Sequence, residues 1–171
     1  MFIVSGCEDL LERVGTLAEE LYRKYHGCSQ MTLRAIQEVL GLEDNNVFKA
    51  ASALAGGVVR SGEVCGALLG ALMAVGQVYG RDKLEVTTES TNYRKAMEVG
   101  TKIFEEFKEC YGSVRCRDIQ VRLFGRYYDI RSPKEYKEFL NSGAAHKCGG
   151  VCKVAARIAV KEIVKRKGQS S

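Results

Sequence analysis

The chain has 171 residues, 46% hydrophobic and 27% charged, with one proline, a balance that excludes a disordered or collagen-like chain and leaves little room for two cores. The formal net charge is +5; Lys153, Arg157, Lys161, Lys165, Arg166 and Lys167 against Glu162 supply all of it, so residues 1–152 balance. A basic helix end complements the negative end of its own dipole. A nucleic-acid-binding domain spreads its basic residues over a folded face, so no nucleic-acid partner is expected.

Helical periodicity dominates. Leu10, Leu11, Val14, Leu17, Ala18, Leu21 and Tyr25 recur at spacings of three and four and predict an amphipathic helix of about five turns, ended by Gly27. A second helix begins near Cys28, with Met31, Ala35, Ile36, Val39 and Leu40 as its apolar face and Gly41 as its stop. Asp44-Asn45-Asn46 caps a third helix from Val47 to Ala55, broken by Gly56-Gly57.

An uncharged run of 17 residues separates Glu63 from Arg81. It falls short of the ~20 residues of a membrane span, and it carries repeated glycine. It reads as a central helix buried on all sides. Gly62, Gly66 and Gly70 lie on one stripe, with Ala74 following, so that another backbone or a bound group can come close. These three glycines are the candidate cofactor-binding positions.

After a polar loop from Arg81 to Ser90, Tyr93, Ala96, Met97, Gly100, Ile103, Phe104 and Phe107 mark a regular helix, ended by Gly112-Ser113. Cys116 opens a short helix to Phe124. Ser132-Pro133 caps another to Leu140, and the last helix starts near Cys148 and runs to about Lys167. Only short stretches such as Leu84–Thr87 have strand character. The expected architecture is all-α: one domain over residues 1–171, a compact bundle of about six to eight helices around the Gly/Ala-rich helix. An exposed apolar face on the first helix would offer a surface for a homodimer.

Seven cysteines are the strongest compositional signal. The Met1–Gly6 start is too short and uncharged for a signal peptide. That points to the cytoplasm, where permanent disulfides are rare outside hyperthermophiles, and there seven thiols indicate metal binding or redox chemistry. The gaps between them are 21, 37, 45, 6, 32 and 4. No Cys-x-x-Cys occurs, which removes zinc ribbons, thioredoxin-type motifs, covalent haem attachment and bacterial ferredoxin runs. Any joint site must be assembled by the fold. Phosphate-loop, Gly-x-Ser-x-Gly and His-Glu-x-x-His motifs are absent as well.

Cys28, Cys116 and Cys148 fall at predicted helix starts, where the dipole and free N–H groups lower a thiol pKa. Cys65 lies inside the Gly/Ala helix, where Gly66 and Gly70 clear space beside it. Cys110 shares a register with Phe104 and Phe107 and is assigned to the core. Cys152 follows Cys148 by four residues on one face and stands as a ligand, a resolving thiol or a packing residue. Cys7 takes no role, in an N-terminus expected to be mobile. His26 and His146 each precede a predicted helix-start cysteine by two residues, which offers an imidazole to a thiolate or a metal.

The combination of Cys28-Ser29-Gln30, Gly56-Gly57, Gly62-Glu63-Val64-Cys65-Gly66-Ala67-Leu68-Leu69-Gly70, Gly112-Ser113-Val114-Arg115-Cys116-Arg117, Gly125-Arg126-Tyr127-Tyr128-Asp129 and Lys147-Cys148 resembles the C_GCAxxG_C_C family of redox-active proteins, named for its spaced cysteines. The resemblance runs from about Tyr22 to Ile163 and implies that Cys28, Cys65, Cys116 and Cys148 are the four family cysteines, with redox or ligand roles. It leaves Cys7, Cys110, Cys152 and both histidines outside the pattern.

Three readings follow. In the first, the four thiols hold a metal or an iron–sulfur cluster and exchange electrons with a redox partner; four thiolates suit zinc or an Fe–S cluster. In the second, a reversible Cys pair performs thiol–disulfide exchange. In the third, a non-catalytic helical protein uses a structural metal, although a core of this size does not need one.

Overall fold

The computed structural model describes residues 2–168, with side chains from residue 6 onward. Among them the chain forms eight α-helices: α1 (Phe2–Tyr25), α2 (Cys28–Leu40), α3 (Asn45–Ala50), α4 (Gly66–Tyr79), α5 (Thr91–Tyr111), α6 (Cys116–Phe124), α7 (Pro133–Asn141) and α8 (Ala144–Gly168). The expected all-α bundle is what forms. The expected strand character at Leu84–Thr87 does not appear; that segment is turn and loop, and the β pairing among the described residues is a single bridge, Val64 with Arg115.

Local chemistry sets the helix ends. Gly27 and Gly41 bracket α2 in left-handed conformations. The Asp44 carboxylate accepts from the Asn46 and Val47 N–H groups and starts α3. Ser90 and Ser132 do the same for α5 and α7. The predicted third helix to Ala55 is shorter, because it tightens into a 3₁₀ turn over Ser52–Leu54.

Helix α1 lays Leu11, Val14, Ala18 and Tyr22 into the core and packs most extensively on α8. The two run antiparallel: Glu8 and Glu12 face Arg157, while Glu19 lies over Gly149. The apolar face of α1 expected to be exposed is therefore covered. Cys7 lies within α1 and is exposed.

The basic residues of α8 point to acids on its neighbours. Lys153 pairs with Glu12 at 3.0 Å, Arg157 with Glu12 at 2.6 Å, Lys161 with Glu106 at 2.5 Å and Arg166 with Glu98 at 3.4 Å. The charge excess of the last helix is thus in part a seam between α8, α1 and α5.

Helix α4 packs against α2, α5 and α8. Its first half is buried at Gly66, Ala67, Leu68, Gly70 and Ala71, whereas Gly76 is exposed and Leu72 and Met73 are half-buried. Burial on all sides thus does not hold, since Leu69 is half-buried too, although Ala74 and Val75 remain buried. The glycine stripe also needs correction, because α4 begins at Gly66 and Gly62 lies in the preceding loop at φ 81°. At Gly70 a Cβ would overlap the carbonyl oxygen of Ser29, so the glycine admits the backbone of α2.

The segment before α4 is conformationally unusual. Gly56, Gly57, Val58, Val59 and Arg60 take successive φ values of 67°, 76°, 60°, 44° and 62°, a left-handed turn. Valine rarely adopts this region, and each left-handed L-residue costs roughly 1–2 kcal/mol. Bonds from Arg60 N–H to the Ala55 carbonyl, Gly62 N–H to Gly56 and Glu63 N–H to Gly57 hold the turn closed. A second small core, Tyr128, Ile130, Phe139 and Ala144, forms where α7 and the loop before it meet α8.

Candidate functional site

Four cysteines from four elements line one cavity of about 90 Å³. Cys28 is the first residue of α2, Cys65 the N-cap of α4 and Cys116 the first residue of α6, whereas Cys148 stands in the second turn of α8. The sequence reading interchanged two of these. Cys65 is at a helix start and Cys148 is inside a helix, because α8 begins earlier, at Ala144, and α4 later, at Gly66. All seven cysteines are free.

Backbone geometry brings the thiols together. The Val64–Arg115 bridge, with Cys65 N–H bonded to the Val114 carbonyl at 2.8 Å and Cys116 N–H to the Glu63 carbonyl at 2.6 Å, sets Cys65 beside Cys116. The left-handed turn closes over them: a Cβ at Gly57 would lie 2.7 Å from Cys116 Cβ. At Gly66 it would lie 2.6 Å from Cys28 Sγ and 2.9 Å from the Leu54 carbonyl oxygen. Gly66 therefore makes room for a thiol. Gly62 lies against the Tyr127 ring, and none of Gly62, Gly66 and Gly70 is itself part of the cavity wall.

Burial governs the thiol electrostatics. It pushes Cys28 up, Cys65 well up, Cys148 up and Cys116 up to about 11. The lowering expected for Cys28 at its helix start does not prevail. Backbone N–H groups of Gly56, Ser29 and Ala67 near its sulfur pull its pKa down, but loss of water outweighs them. The Ala67 N–H also lowers Cys65, Gln120 Nε2 donates to Cys116 Sγ at 3.5 Å, and the nearby Tyr22 hydroxyl lowers Cys148. The site holds buried sulfurs with donors placed for a sulfur anion.

Among the described residues no group of three or more Cys, His, Asp or Glu side chains is arranged to hold a metal ion as they stand. Cys152 is fully buried on the far side of Cys28, its sulfur 3.9 Å from the Cys28 carbonyl oxygen, and is not part of the cavity wall. Cys110 is exposed, contrary to its core assignment. By angle Cys110 shares the face of Val99, Ile103 and Phe107, but it stands in the last turn of α5, just before the Gly112 cap, where the helix end leaves it exposed. His26 lines the cavity, and its Nδ1 is buried without a partner; His146 is exposed elsewhere.

Sequence reasoning missed Tyr22, Arg60, Gln120 and Tyr136. Gln120 had a signal, being four residues after Cys116 on one helix face. Arg60 and Tyr136 meet only through the tertiary fold.

Two outcomes follow from burial. A neutral disulfide reagent at pH 8 is expected to titrate Cys7 and Cys110 rapidly and the other five thiols slowly; uniform kinetics would contradict the buried site. In metal-free protein, Cys116 keeps its proton to about pH 11 when folded, against an ordinary value of 9.0. Above pH 9 the folded state therefore binds more protons than the unfolded one, so this stability is complete below pH 9 and is lost as pH rises to about 11. Two units correspond to about 3 kcal/mol. Thermal melts at pH 8.5 and 10.5 should show the fall, and Cys116→Ser should lessen it.

The helical bundle gathers four dispersed cysteines to the wall of one cavity. The family model described as "Putative redox-active protein (C_GCAxxG_C_C)" matches residues 26–162, and the chain belongs to that family. It is 28% identical over 109 residues to an uncharacterized protein of Archaeoglobus fulgidus, covering 61% of this chain and 72% of that protein. No solved structure matches the chain. No helix among the described residues is long and apolar enough to cross a membrane.

Proposed function

We propose that the chain is a cytoplasmic electron-transfer protein in which Cys28, Cys65, Cys116 and Cys148 hold an iron–sulfur cluster and pass electrons to and from a redox partner. The observation that carries this reading is the convergence of these four thiols on one cavity. The donor set is all soft sulfur, which suits iron–sulfur or zinc chemistry. The N–H and O–H donors around Cys28, Cys65, Cys116 and Cys148 support it, since hydrogen bonds to the sulfurs tune a cluster's potential.

Burial disfavours the thiol–disulfide reading, which needs a thiolate near neutral pH.

The test is metal content, acid-labile sulfide and a visible spectrum on protein purified without oxygen. Iron with sulfide and visible absorption is the expected result. Stoichiometric zinc without colour would replace the cluster by a mononuclear site. Absence of both metals, with thiols that pair reversibly on oxidation, would overturn the proposal in favour of disulfide exchange.

A further inference from the structure

The thiol cavity opens outward. Five residues of its wall, His26, Gly27, Ala55, Arg60 and Tyr136, also line an adjoining outer recess of about 420 Å³. This mouth lies between the left-handed turn, the α1–α2 junction and α7.

Its charge is one-sided. Arg60 lines both spaces, and no Asp or Glu lines either. The guanidinium is held in place without a carboxylate: it lies 4.6 Å over the Tyr136 ring, and Nη1 donates to the Ile130 carbonyl at 3.4 Å. A guanidinium has five N–H donors, so most remain available. His26 stands at the same mouth with a buried, unpartnered Nδ1. The strained turn that presents Arg60 is a second pointer, since such strain concentrates at ligand sites.

We propose that this mouth binds a small anionic ligand, a carboxylate or an oxyanion, gripped by Arg60 and His26 with its uncharged end directed at the thiols. Arginine's planar fork matches such groups. The inference rests on reading the thiol cavity as the reactive centre.

The test compares iodoacetate with iodoacetamide, nearly equal in size and differing by one charge. Alkylation rates at Cys28 and Cys148 are read by peptide mass spectrometry on the full chain, as purified without oxygen and again after chelator treatment. Exposed Cys110 is the internal control. Arg60→Gln is expected to lower the iodoacetate-to-iodoacetamide ratio at the cavity cysteines about five-fold, the effect of one charge several ångströms away near a surface. Arg60→Lys should keep most of the ratio, and Cys110 should be unmoved.

An unchanged ratio in Arg60→Gln overturns the proposal. So does failure of either reagent to reach Cys28 or Cys148 in chelator-treated protein while Cys110 reacts. Because the ratio is taken within one preparation, bound metal slows both reagents alike. Absence of metal therefore counts against the cluster, and loss of charge selectivity counts separately for the anion site.

Discussion

Gly70→Ala is expected to destabilise the protein by about 3 kcal/mol, the upper range for overpacking a core. The added methyl would overlap the carbonyl oxygen of Ser29 and stand 3.2 Å from the Leu33 nitrogen, so it meets backbone on a neighbouring helix. Neither group can move cheaply. Ser29 is fully buried and its hydroxyl is tied to the Ala51 carbonyl at 2.8 Å; Leu33 is fully buried as well. Out of a total stability of roughly 5–15 kcal/mol, such a loss is large.

The control is Gly76→Ala in the same helix, where a Cβ meets nothing within 4 Å. There alanine should be neutral or should stabilise by up to about 1 kcal/mol, through helix propensity. Urea unfolding of both variants checks the pair. Equal midpoints would mean that α2 and α4 are not in backbone contact at Gly70.

The second large effect concerns the site. Single replacement of Cys28, Cys65, Cys116 or Cys148 by serine should each remove most of the bound metal and the visible absorption. Cys7→Ser and Cys110→Ser should leave both unchanged, since those thiols are exposed and outside the cavity. Cys152→Ser separates two ideas. Its thiol packs on the Cys28 carbonyl, so loss of stability with metal retained would mark it as a packing residue. Full retention of metal by all four cavity variants would sink the proposed cluster.

Helix existence was legible because apolar spacing and caps are local. The faces of α1 and α5 and the Ser132-Pro133 start of α7 follow from residues within a turn or two of one another. Boundaries failed where tertiary contacts override local preference. Helix α8 extends back to Ala144, which is buried in the second small core beside Tyr128 and Phe139, and this places Cys148 inside the helix. Helix α4 starts late because Val64 is engaged in the bridge to Arg115, which leaves Cys65 as the cap.

The sequence by itself determined the helical class, the family and the set of four cysteines singled out as a joint site. Periodicity, capping and cysteine spacing are all properties of the chain alone. Only the tertiary structure decided that those thiols share a cavity, that burial raises their pKa values, and that Arg60 and Tyr136 stand at its mouth. These depend on a left-handed turn through Val58 and Val59, which local propensity opposes. They depend also on water exclusion by several helices at once, a property of the packed assembly that no single segment encodes.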